Sequence, residues 1–264
     1  MPNCSLLADA VRAAASGDGS AVLVFGEAGI GKSSLVEAVR AQLPAEGRML
    51  VGYCDDLATA RTLGPFRDLV GSVGTELSRA ITDGGDRDQV LAALRAELTW
   101  AAHPTVLVIE DVHWADDATL DALRYLIRRI ADLPAVLILT YRDDEPNREH
   151  PLPGLLGQAS RSDRVRHLPL RRLSQGAVRQ LSAGSSVDAD DLFALTSGIR
   201  SSSMSCWPRR RRSEFRARSW TRSWRGSGSW TRPFRTCSSS WPWSRPRSSP
   251  GCSTRSCLTV FPPG

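Results

Sequence analysis

Lysine is almost missing from this chain of 264 residues. Of its 34 basic residues, one is a lysine, Lys32, and the others are arginine. Lys32 lies in the segment VLVFGEAGIGKSSLVEAVR, residues 22–40. Arginine fills every other basic position, so the lysine here indicates that this position requires a compact ammonium group. A planar guanidinium does not replace it.

The chain also lacks the patterns of a zinc site, a secretory leader and a membrane span. Its six cysteines form no CxxC pair, and no histidine stands at ligand spacing to them, so no zinc site is expected. The start, MPNCSLLADAV, has no basic region. No apolar run approaches the ~18 residues of a membrane helix. We therefore expect a cytoplasmic protein.

The positive net charge of +6 comes from one end of the chain. Residues 1–199 carry 20 basic and 27 acidic side chains, a net charge of −7. Residues 200–264 carry 14 arginines and one acid, Glu214, a net charge of +13. The first part therefore reads as a mildly acidic domain that is long enough to bury a sizeable core.

Short apolar runs alternate with helical patterns in residues 1–199. Apolar runs without polar alternation indicate strands buried on both faces, and alternation of strands with helices indicates a parallel sheet covered by helices. We predict an α/β fold on this basis. The predicted strands are 21–25, 48–54, 105–111, 135–142 and 164–170, and the predicted helices are 33–43, 65–73, 88–102, 117–133, 174–182 and 188–196.

The sequence GEAGIGKS, residues 26–33, fits the pattern G-x-x-x-x-G-K-[ST] between a predicted strand and a predicted helix. Its glycines let N–H groups face phosphate oxygens, and the helix N-terminus adds positive charge. Lys32 would reach the β- and γ-phosphates, and the Ser33 hydroxyl would bind Mg²⁺. The alternative is a chance match in a glycine-rich turn. The candidate nucleotide-binding residues are Gly26, Glu27, Ala28, Gly29, Ile30, Gly31, Lys32, Ser33 and Ser34.

A second candidate element is TVLVIEDVHWADD, residues 105–117, where an apolar strand ends in Glu110 and Asp111. One acid at a strand end can hold Mg²⁺ through water, and its neighbour can orient the attacking water. The usual order of the pair is Asp then Glu, whereas Glu comes first here. We assign Glu110 to the metal and Asp111 to the water. The alternative is a strand that ends in solvated acids.

A third strand end, in LILTYR, carries Thr140 and Arg142. Arg142 is a candidate for sensing the γ-phosphate and stabilising charge in the transition state. The alternative is an ordinary solvated arginine. Trp114 and Asp116 precede the helix after the acidic pair, where Asp116 suits an N-cap and Trp114 suits either packing or the site. His113 is assigned to the surface of the acidic motif.

Four segments, FGEAGIGKSSLVEAVR, VLVIEDVHWADDATLDALRYL, LILTYRDDE and LPLRRLSQGAVRQL, occur in that order. Together they resemble the ATPase domain of the large LuxR-family transcriptional regulators. These regulators belong to the signal-transduction ATPases with numerous domains, within the AAA-like P-loop class. The resemblance covers residues 5–199 and implies an α/β P-loop NTPase, with a five-stranded parallel sheet in the order 5-1-4-3-2 flanked by helices.

The resemblance also implies a function. In that family the ATPase is a nucleotide-dependent switch, followed by a helical lid, helical repeats and a helix-turn-helix that binds DNA. ATP is the expected ligand, DNA is expected only through a helix-turn-helix domain absent from this chain, no membrane partner is expected, and self-association is left open. The residues implied in ATP and Mg²⁺ binding or hydrolysis are Lys32, Ser33, Glu110, Asp111 and Arg142.

Two stretches depart from the family pattern. The Gly-Arg-Glu-like segment that helps seat the base is replaced by Met1-Pro2-Asn3, so no adenine contact is assigned. After residue 197 a Gly-Asn-Pro-Phe-Phe-like turn is replaced by GIRSSSM. Loss of one nucleotide near codons 198–199 would explain this change, because restoring one base can give Gly-Asn-Pro-Phe-Phe-Val-Asn. The same shift turns RSWTRSWR, residues 218–225, into an amphipathic helical pattern.

Residues 200–264 are therefore predicted to be a low-complexity Arg/Ser/Trp/Pro tail, out of frame and disordered, after an ATPase domain at 1–199. The leading prediction is ATP binding with slow Mg²⁺-dependent hydrolysis, as the switch module of a LuxR-type regulator without its lid and DNA-binding domain. Two alternatives stay open. One is a DNA-associated AAA ATPase whose tail places arginines on phosphates and tryptophans on bases. The other is an inactive remnant.

Overall fold

The structure of the chain is a computed structural model, which describes residues 2–57, 61–99, 104–143, 151–183 and 188–200. All of these belong to the first of the two units into which the chain divides, residues 1–225. The predicted disorder of the tail falls on residues 201–264, which lie outside the described residues. The domain boundary after residue 199 stays a prediction.

Five strands form one parallel sheet: β1 (Ser20–Phe25), β2 (Arg48–Tyr53), β3 (Thr105–Glu110), β4 (Ala135–Tyr141) and β5 (Val165–Pro169). Their spatial order is β2-β3-β4-β1-β5, and all neighbouring strands run parallel. The predicted order, read from the opposite edge, is confirmed. Because strands of a parallel sheet end at the same edge, the residues that follow β1, β3 and β4 lie side by side.

Helices flank the sheet. The described residues include α1 (Pro2–Ala15), α2 (Lys32–Arg40), α3 (Gly64–Arg67), α4 (Thr75–Thr82), α5 (Arg87–Thr99), α6 (Asp117–Arg129), α7 (Leu152–Ala159), α8 (Gln175–Ser182) and α9 (Ala189–Thr196). Two 3-10 helices flank α6, at Val112–Trp114 and Ile130–Asp132. None of the helices in these ranges is long and apolar enough to cross a membrane.

Three helices, α1, α4 and α7, were not predicted from the sequence, and three predicted helices were too long. Those predicted at 33–43 and 117–133 end at Arg40 and Arg129. The helix predicted at 65–73 ends at Arg67. Gly71 then takes a left-handed φ of 92°, and Gly74 is extended before α4 begins. These two glycines separate α3 from α4, because both conformations lie outside the helical region.

The core has two layers, one on each face of the sheet. Alternate residues of β4 pack into one layer or the other, because successive side chains of a strand point to opposite faces. Leu137 and Leu139 pack with the layer that includes α5 and α6. Val136 and Ile138 pack with the layer that includes α1 and α2. The sheet is therefore covered on both faces, as its uninterrupted apolar strands indicate.

A buried polar network fixes the far edge of the sheet. Arg48 at the start of β2 donates from Nη1 to Glu97 Oε1 at 2.6 Å and from Nη2 to the Glu97 carbonyl at 2.5 Å. Arg48 Nε also donates to Thr105 Oγ1 at 3.1 Å. The second carboxylate oxygen of Glu97 accepts the N–H of Gly74 at 2.9 Å. The network therefore joins β2, β3, α5 and the start of α4 without leaving the buried carboxylate uncompensated.

Candidate functional site

Residues 26–31, the phosphate loop, connect β1 to α2. Gly26, Gly29 and Gly31 have φ angles of 147°, 72° and 114°, which residues with side chains rarely adopt. Gly31 is the N-cap of α2 and provides no side-chain cap. The first N–H groups of α2 can therefore donate to an anion bound in the loop, where the positive end of the helix favours negative charge.

Lys32, the first residue of α2, extends its side chain to the start of this loop. Its side chain is buried, with 7% of the residue exposed. The ammonium Nζ donates to the carbonyl of Gly26 at 2.7 Å and to that of Glu27 at 3.1 Å. The loop thus encloses a compact cation with several donors, which the flexible lysine stem can redirect to phosphate oxygens.

Ser33 and Glu110 meet although they are far apart in the sequence. Ser33 Oγ donates to Glu110 Oε2 at 2.5 Å. Glu110 ends β3 and is 5% exposed. Burial raises the pKa of its carboxyl above the ordinary 4.5, and the hydrogen bond from Ser33 and the charge of Lys32 partly offset this effect. A hydroxyl and a carboxylate at this distance are the oxygen ligands, direct or through water, that Mg²⁺ prefers.

Mg²⁺ suits this donor set better than a metal that needs an all-protein cage. Within the described ranges, no group of three or more His, Cys, Asp or Glu side chains could hold a metal ion. Mg²⁺ usually keeps several waters and binds one or two protein oxygens together with substrate phosphates. Ser33 and Glu110 would supply the protein oxygens, next to the loop that would hold the phosphates.

Asp111 follows Glu110 and points a different way. Its backbone is left-handed, with φ of 57°, and its N–H donates to Thr140 Oγ1 at 3.0 Å. Its side chain is 46% exposed, and Oδ1 lies 4.0 Å from Nδ1 of His113, whose side chain is buried. The acidic pair is thus divided into one buried carboxylate beside Ser33 and one carboxylate that water can reach.

Arg142 follows the end of β4. Tyr141, the last residue of β4, is in register with Phe25, the residue before Gly26. The rings of Tyr141 and Phe25 are stacked with their centroids 5.3 Å apart. Because Tyr141 lies beside Phe25, Arg142 begins near the start of the phosphate loop. The residue is half-buried. Its proposed contact with the γ-phosphate stays a prediction.

Asp116 and Trp114 have structural roles. Asp116 is the N-cap of α6 and accepts the N–H of Ala118 at 3.2 Å, as the sequence predicted. The same carboxylate accepts the N–H of Leu63 at 3.2 Å and so also holds the start of α3. Trp114 is half-buried and packs against the larger core layer, which favours packing over a site role.

The other predicted loop residues contribute mainly backbone. Ala28 and Gly29 are exposed, Ser34 is half-buried in the first turn of α2, and Ile30 is buried in the core. The side chain of Glu27 forms an ion pair with Arg172, a residue that was not predicted to belong to the site. Arg172 Nη2 lies 2.7 Å from Glu27 Oε2.

Arg200 is a second residue at the loop that was not assigned. It is the one residue of the predicted tail that the structure describes, and it packs on Gly31. A Cβ added to Gly31 would lie 2.8 Å from Arg200 Cδ. No local sequence signal could have found Arg172 or Arg200. The place of Arg172 depends on the pairing of β5 with β1, and that of Arg200 on how the chain after α9 returns to the loop.

The order of the strands, the glycine-rich loop and the paired Ser33 and Glu110 define a P-loop nucleotide-binding fold. Residues 3–139 match the family described as the AAA ATPase domain. This match covers more than half of the chain, and the chain therefore belongs to the AAA ATPase domain family, which supports nucleotide binding.

Solved structures support the fold. The Aeropyrum pernix ORC1 protein in complex with DNA has a TM-score of 0.53 at 15% identity, with 76% of this chain and 56% of that chain covered. CDC6P from Pyrobaculum aerophilum has a TM-score of 0.54 at 13% identity, with 76% and 57% covered. These TM-scores show that the α/β fold is shared. At identities this low, the comparison shows the fold alone.

A curated relative is similar over part of its length. It is an uncharacterized protein of Rhizobium meliloti (strain 1021), 29% identical over 174 residues. The alignment covers 48% of this chain and 16% of that protein. The chain thus spans about a sixth of that relative, so any activity of a whole protein of that size is a separate question.

Proposed function

We propose that this chain binds ATP with Mg²⁺ and hydrolyses it slowly, as the nucleotide-switch module of a LuxR-type transcriptional regulator. The observation that carries the proposal is the hydrogen bond of 2.5 Å between Ser33 and Glu110. It joins the hydroxyl of the glycine-rich motif to the carboxylate of the acidic motif, the two groups predicted to bind Mg²⁺. The regulator role rests on the resemblance of four ordered segments.

Each site residue has a proposed role. Lys32 would turn its ammonium from the carbonyls of the loop to the β- and γ-phosphates. Ser33 and Glu110 would hold Mg²⁺, which neutralises charge on the phosphate oxygens when it is bound. Asp111 would orient the water that attacks the γ-phosphate in line, and Arg142 would stabilise the charge of the transition state.

Slow hydrolysis is expected from the exposure of Asp111. Its side chain is 46% exposed, so surrounding water competes with the one molecule that must be oriented. An active site that does not exclude water gives weaker electrostatic stabilisation. We therefore expect ATP binding to be well developed and turnover to be low.

Thermal melting of the full chain with and without Mg²⁺-ATP tests the binding. A ligand that binds only the folded state stabilises it by about 2.7 kcal/mol at 100 times Kd. Mg²⁺-ATP should therefore raise the Tm of the wild type, and Lys32→Ala should lose this increase. Arg40→Ala, at the exposed end of α2, is the matched control and should respond like the wild type. An equal shift in Lys32→Ala would show that the phosphate assignment is wrong.

The proposed change of reading frame after residue 198 has its own test. The chain would be expressed with one base restored near codons 198–199, and its Mg²⁺-ATP melting shift compared with that of the present chain. The restored turn and apolar helices are expected to cover the nucleotide and enlarge the shift. If the shifted frame of the coding sequence gave no amphipathic helical pattern over 218–225, the hypothesis would be abandoned.

A DNA-associated AAA ATPase is the second candidate, and the net charge of +13 in residues 200–264 favours it. Binding through phosphate contacts would weaken steeply with salt. The test is DNA affinity at several salt concentrations for the full chain and for a chain without 200–264. Salt-dependent binding that disappears on deletion would support this candidate. A wild type that shows neither DNA binding nor an ATP melting shift would favour an inactive remnant.

A further inference from the structure

Residues 170–173, which we call the β5–α8 linker, lie directly against the start of the phosphate loop. The N–H of Leu170 donates to the carbonyl of Phe25 at 2.8 Å. A Cβ added to Gly26 would lie 2.8 Å from the carbonyl oxygen of Leu170. This distance is shorter than a real Cβ atom keeps from a neighbouring oxygen. The linker backbone therefore forms one wall of the loop at Gly26.

One ion pair continues this contact to the next residue of the loop. Arg172 Nε lies 3.1 Å from Glu27 Oε1 and 3.0 Å from Oε2, and its Nη2 lies 2.7 Å from Oε2. The guanidinium and the carboxylate thus face each other as two planar forks. This geometry fixes the orientation of Glu27 as well as attracting its charge.

Glu27 connects Arg172 to Lys32. The side chain of Glu27 is held by Arg172, while its main-chain carbonyl accepts Lys32 Nζ at 3.1 Å. When Lys32 turns towards a phosphate, the hydrogen bond that its ammonium donates to the Glu27 carbonyl changes. The hydrogen bonding of the Glu27 backbone therefore depends on whether nucleotide is bound, and Arg172 contacts the side chain of the same residue.

The other end of the linker is tied to the end of α9. The N–H of Leu173 donates to the carbonyl of Gly198 at 2.8 Å. Gly198 has φ of 77°, and a Cβ there would lie 2.3 Å from the carbonyl oxygen of Leu173. The backbones touch without an intervening side chain, so a shift of the linker is passed to the chain that follows α9.

We propose that Arg172 is a positioning residue: through Glu27 it holds the phosphate loop for nucleotide binding and couples nucleotide occupancy to α8 and α9. The proposal rests on the proposed ATP binding and names the contact through which that site communicates. Nucleotide bound in the loop makes Glu27 more rigid, and the ion pair transmits this order to the linker and to α8.

Affinity measurements on the full chain with a fluorescent ATP analogue and Mg²⁺ are the first test. Arg172→Met and Glu27→Gln should each weaken binding by roughly two- to fivefold, the range of an exposed ion pair with good geometry. The double variant should bind no more weakly than either single variant, because both remove one interaction. Arg171→Met removes an equal charge from the same linker and should bind like the wild type.

Hydrogen exchange provides a readout that a purely structural role would not change. In the wild type, saturating Mg²⁺-ATP should slow exchange in α8 more than in the remote helix α5. In Arg172→Met at saturating nucleotide, this extra protection of α8 should be absent, while the global slowing should remain. The charge-swapped pair Glu27→Arg with Arg172→Glu should recover more of the extra protection than Arg172→Glu alone.

Three results would overturn the proposal. These are equal affinities of Arg172→Met and Arg171→Met, additive losses in the double variant, or full protection of α8 in Arg172→Met. Failure of the proposed function is distinguishable, because the wild type would then bind the analogue no better than Lys32→Ala. That outcome would remove the coupling together with the ATP site, whereas the other three leave ATP binding intact.

Discussion

The hydroxyl of Thr140 accepts the backbone N–H of Asp111 at 3.0 Å. Thr140 is fully buried near the end of β4, and Asp111 follows β3 in a left-handed conformation with φ of 57°. A residue other than glycine in this conformation needs support from its surroundings. The hydrogen bond supplies this support and sets the direction in which the Asp111 carboxylate leaves the sheet.

Replacing Thr140 with valine should lower hydrolysis more than binding. Valine is similar in shape but cannot accept the N–H of Asp111, so the carboxylate loses its fixed direction. We expect phosphate release to fall roughly tenfold, equal to about 1.4 kcal/mol in the barrier, with the ATP Kd within about twofold. Thr140→Ser keeps the hydroxyl and should retain most of the activity. Unchanged phosphate release in Thr140→Val would mean that the hydroxyl has no part in turnover.

Lys32→Arg tests whether charge alone is sufficient at this position. The ammonium is enclosed by carbonyls at 2.7 and 3.1 Å, and a planar guanidinium is too large for this arrangement. We expect a loss of ATP affinity of roughly tenfold or more, measured by titration with a fluorescent analogue. The reverse exchange, Arg40→Lys at the exposed end of α2, is the control. Wild-type affinity in Lys32→Arg would contradict the need for a compact cation.

The buried carboxyl of Glu110 should make stability depend on pH. Burial raises its pKa above 4.5, so the folded state holds the proton more tightly than the unfolded state. Stability contributed by this group is therefore lost as pH rises from 4.5 through the folded pKa. Glu110→Gln does not titrate, so its stability relative to the wild type should increase across this window and then stay constant.

Urea unfolding between pH 4 and pH 8 measures this difference. The exposed substitution Glu46→Gln, between α2 and β2, is the control for the removal of one negative charge. At neutral pH, Glu110→Gln should be more stable than the wild type yet bind ATP with less dependence on Mg²⁺. A stability difference that is constant from pH 4 to pH 8 would show that Glu110 does not titrate differently on folding.

Cys54 should report the unfolding of the nucleotide-binding domain. Its thiol is buried and not in a disulfide, and burial with nearby carboxylates raises its pKa to about 12. The thiolate is the reactive form, so the folded protein should resist iodoacetamide at this position at pH 8. Mass spectrometry of the Cys54 peptide should show labelling only in urea, and Mg²⁺-ATP should raise the urea concentration required. Rapid labelling without urea would contradict the burial.

Arg200 should hinder nucleotide binding in the arrangement seen here. Its Cδ stands against Gly31, and glycine at such positions allows phosphate to approach the backbone. We therefore expect bound ATP to displace the side chain. Arg200→Ala should strengthen binding by about two- to tenfold, equal to about 0.5–1.5 kcal/mol for reordering one long side chain. Weaker binding in this variant would show instead that the guanidinium pairs with the phosphates.

Local patterns were sufficient to predict the sheet and the phosphate loop, because both depend on residues that are neighbours in the sequence. β3 and β4 are uninterrupted apolar runs, so their burial can be read from neighbouring residues. The phosphate loop and Lys32 belong to one continuous motif, and Lys32 is the only lysine of the chain. α1 was missed although Leu7, Ala10, Val11 and Ala14 repeat at helical spacing. The sequence LPGLLGQA of α7 contains a proline and two glycines, which weaken the helical signal.

The contacts between side chains depend on packing between elements that are distant in the sequence. Ser33 reaches Glu110, and Asp111 reaches Thr140, because the strand order places the ends of β1, β3 and β4 next to one another. Arg171 and Arg172 are adjacent and identical in type, yet it is Arg172 that binds Glu27. A local pattern records the spacing of residues along one element. The direction of a side chain toward a residue 145 positions away is set by how the elements pack.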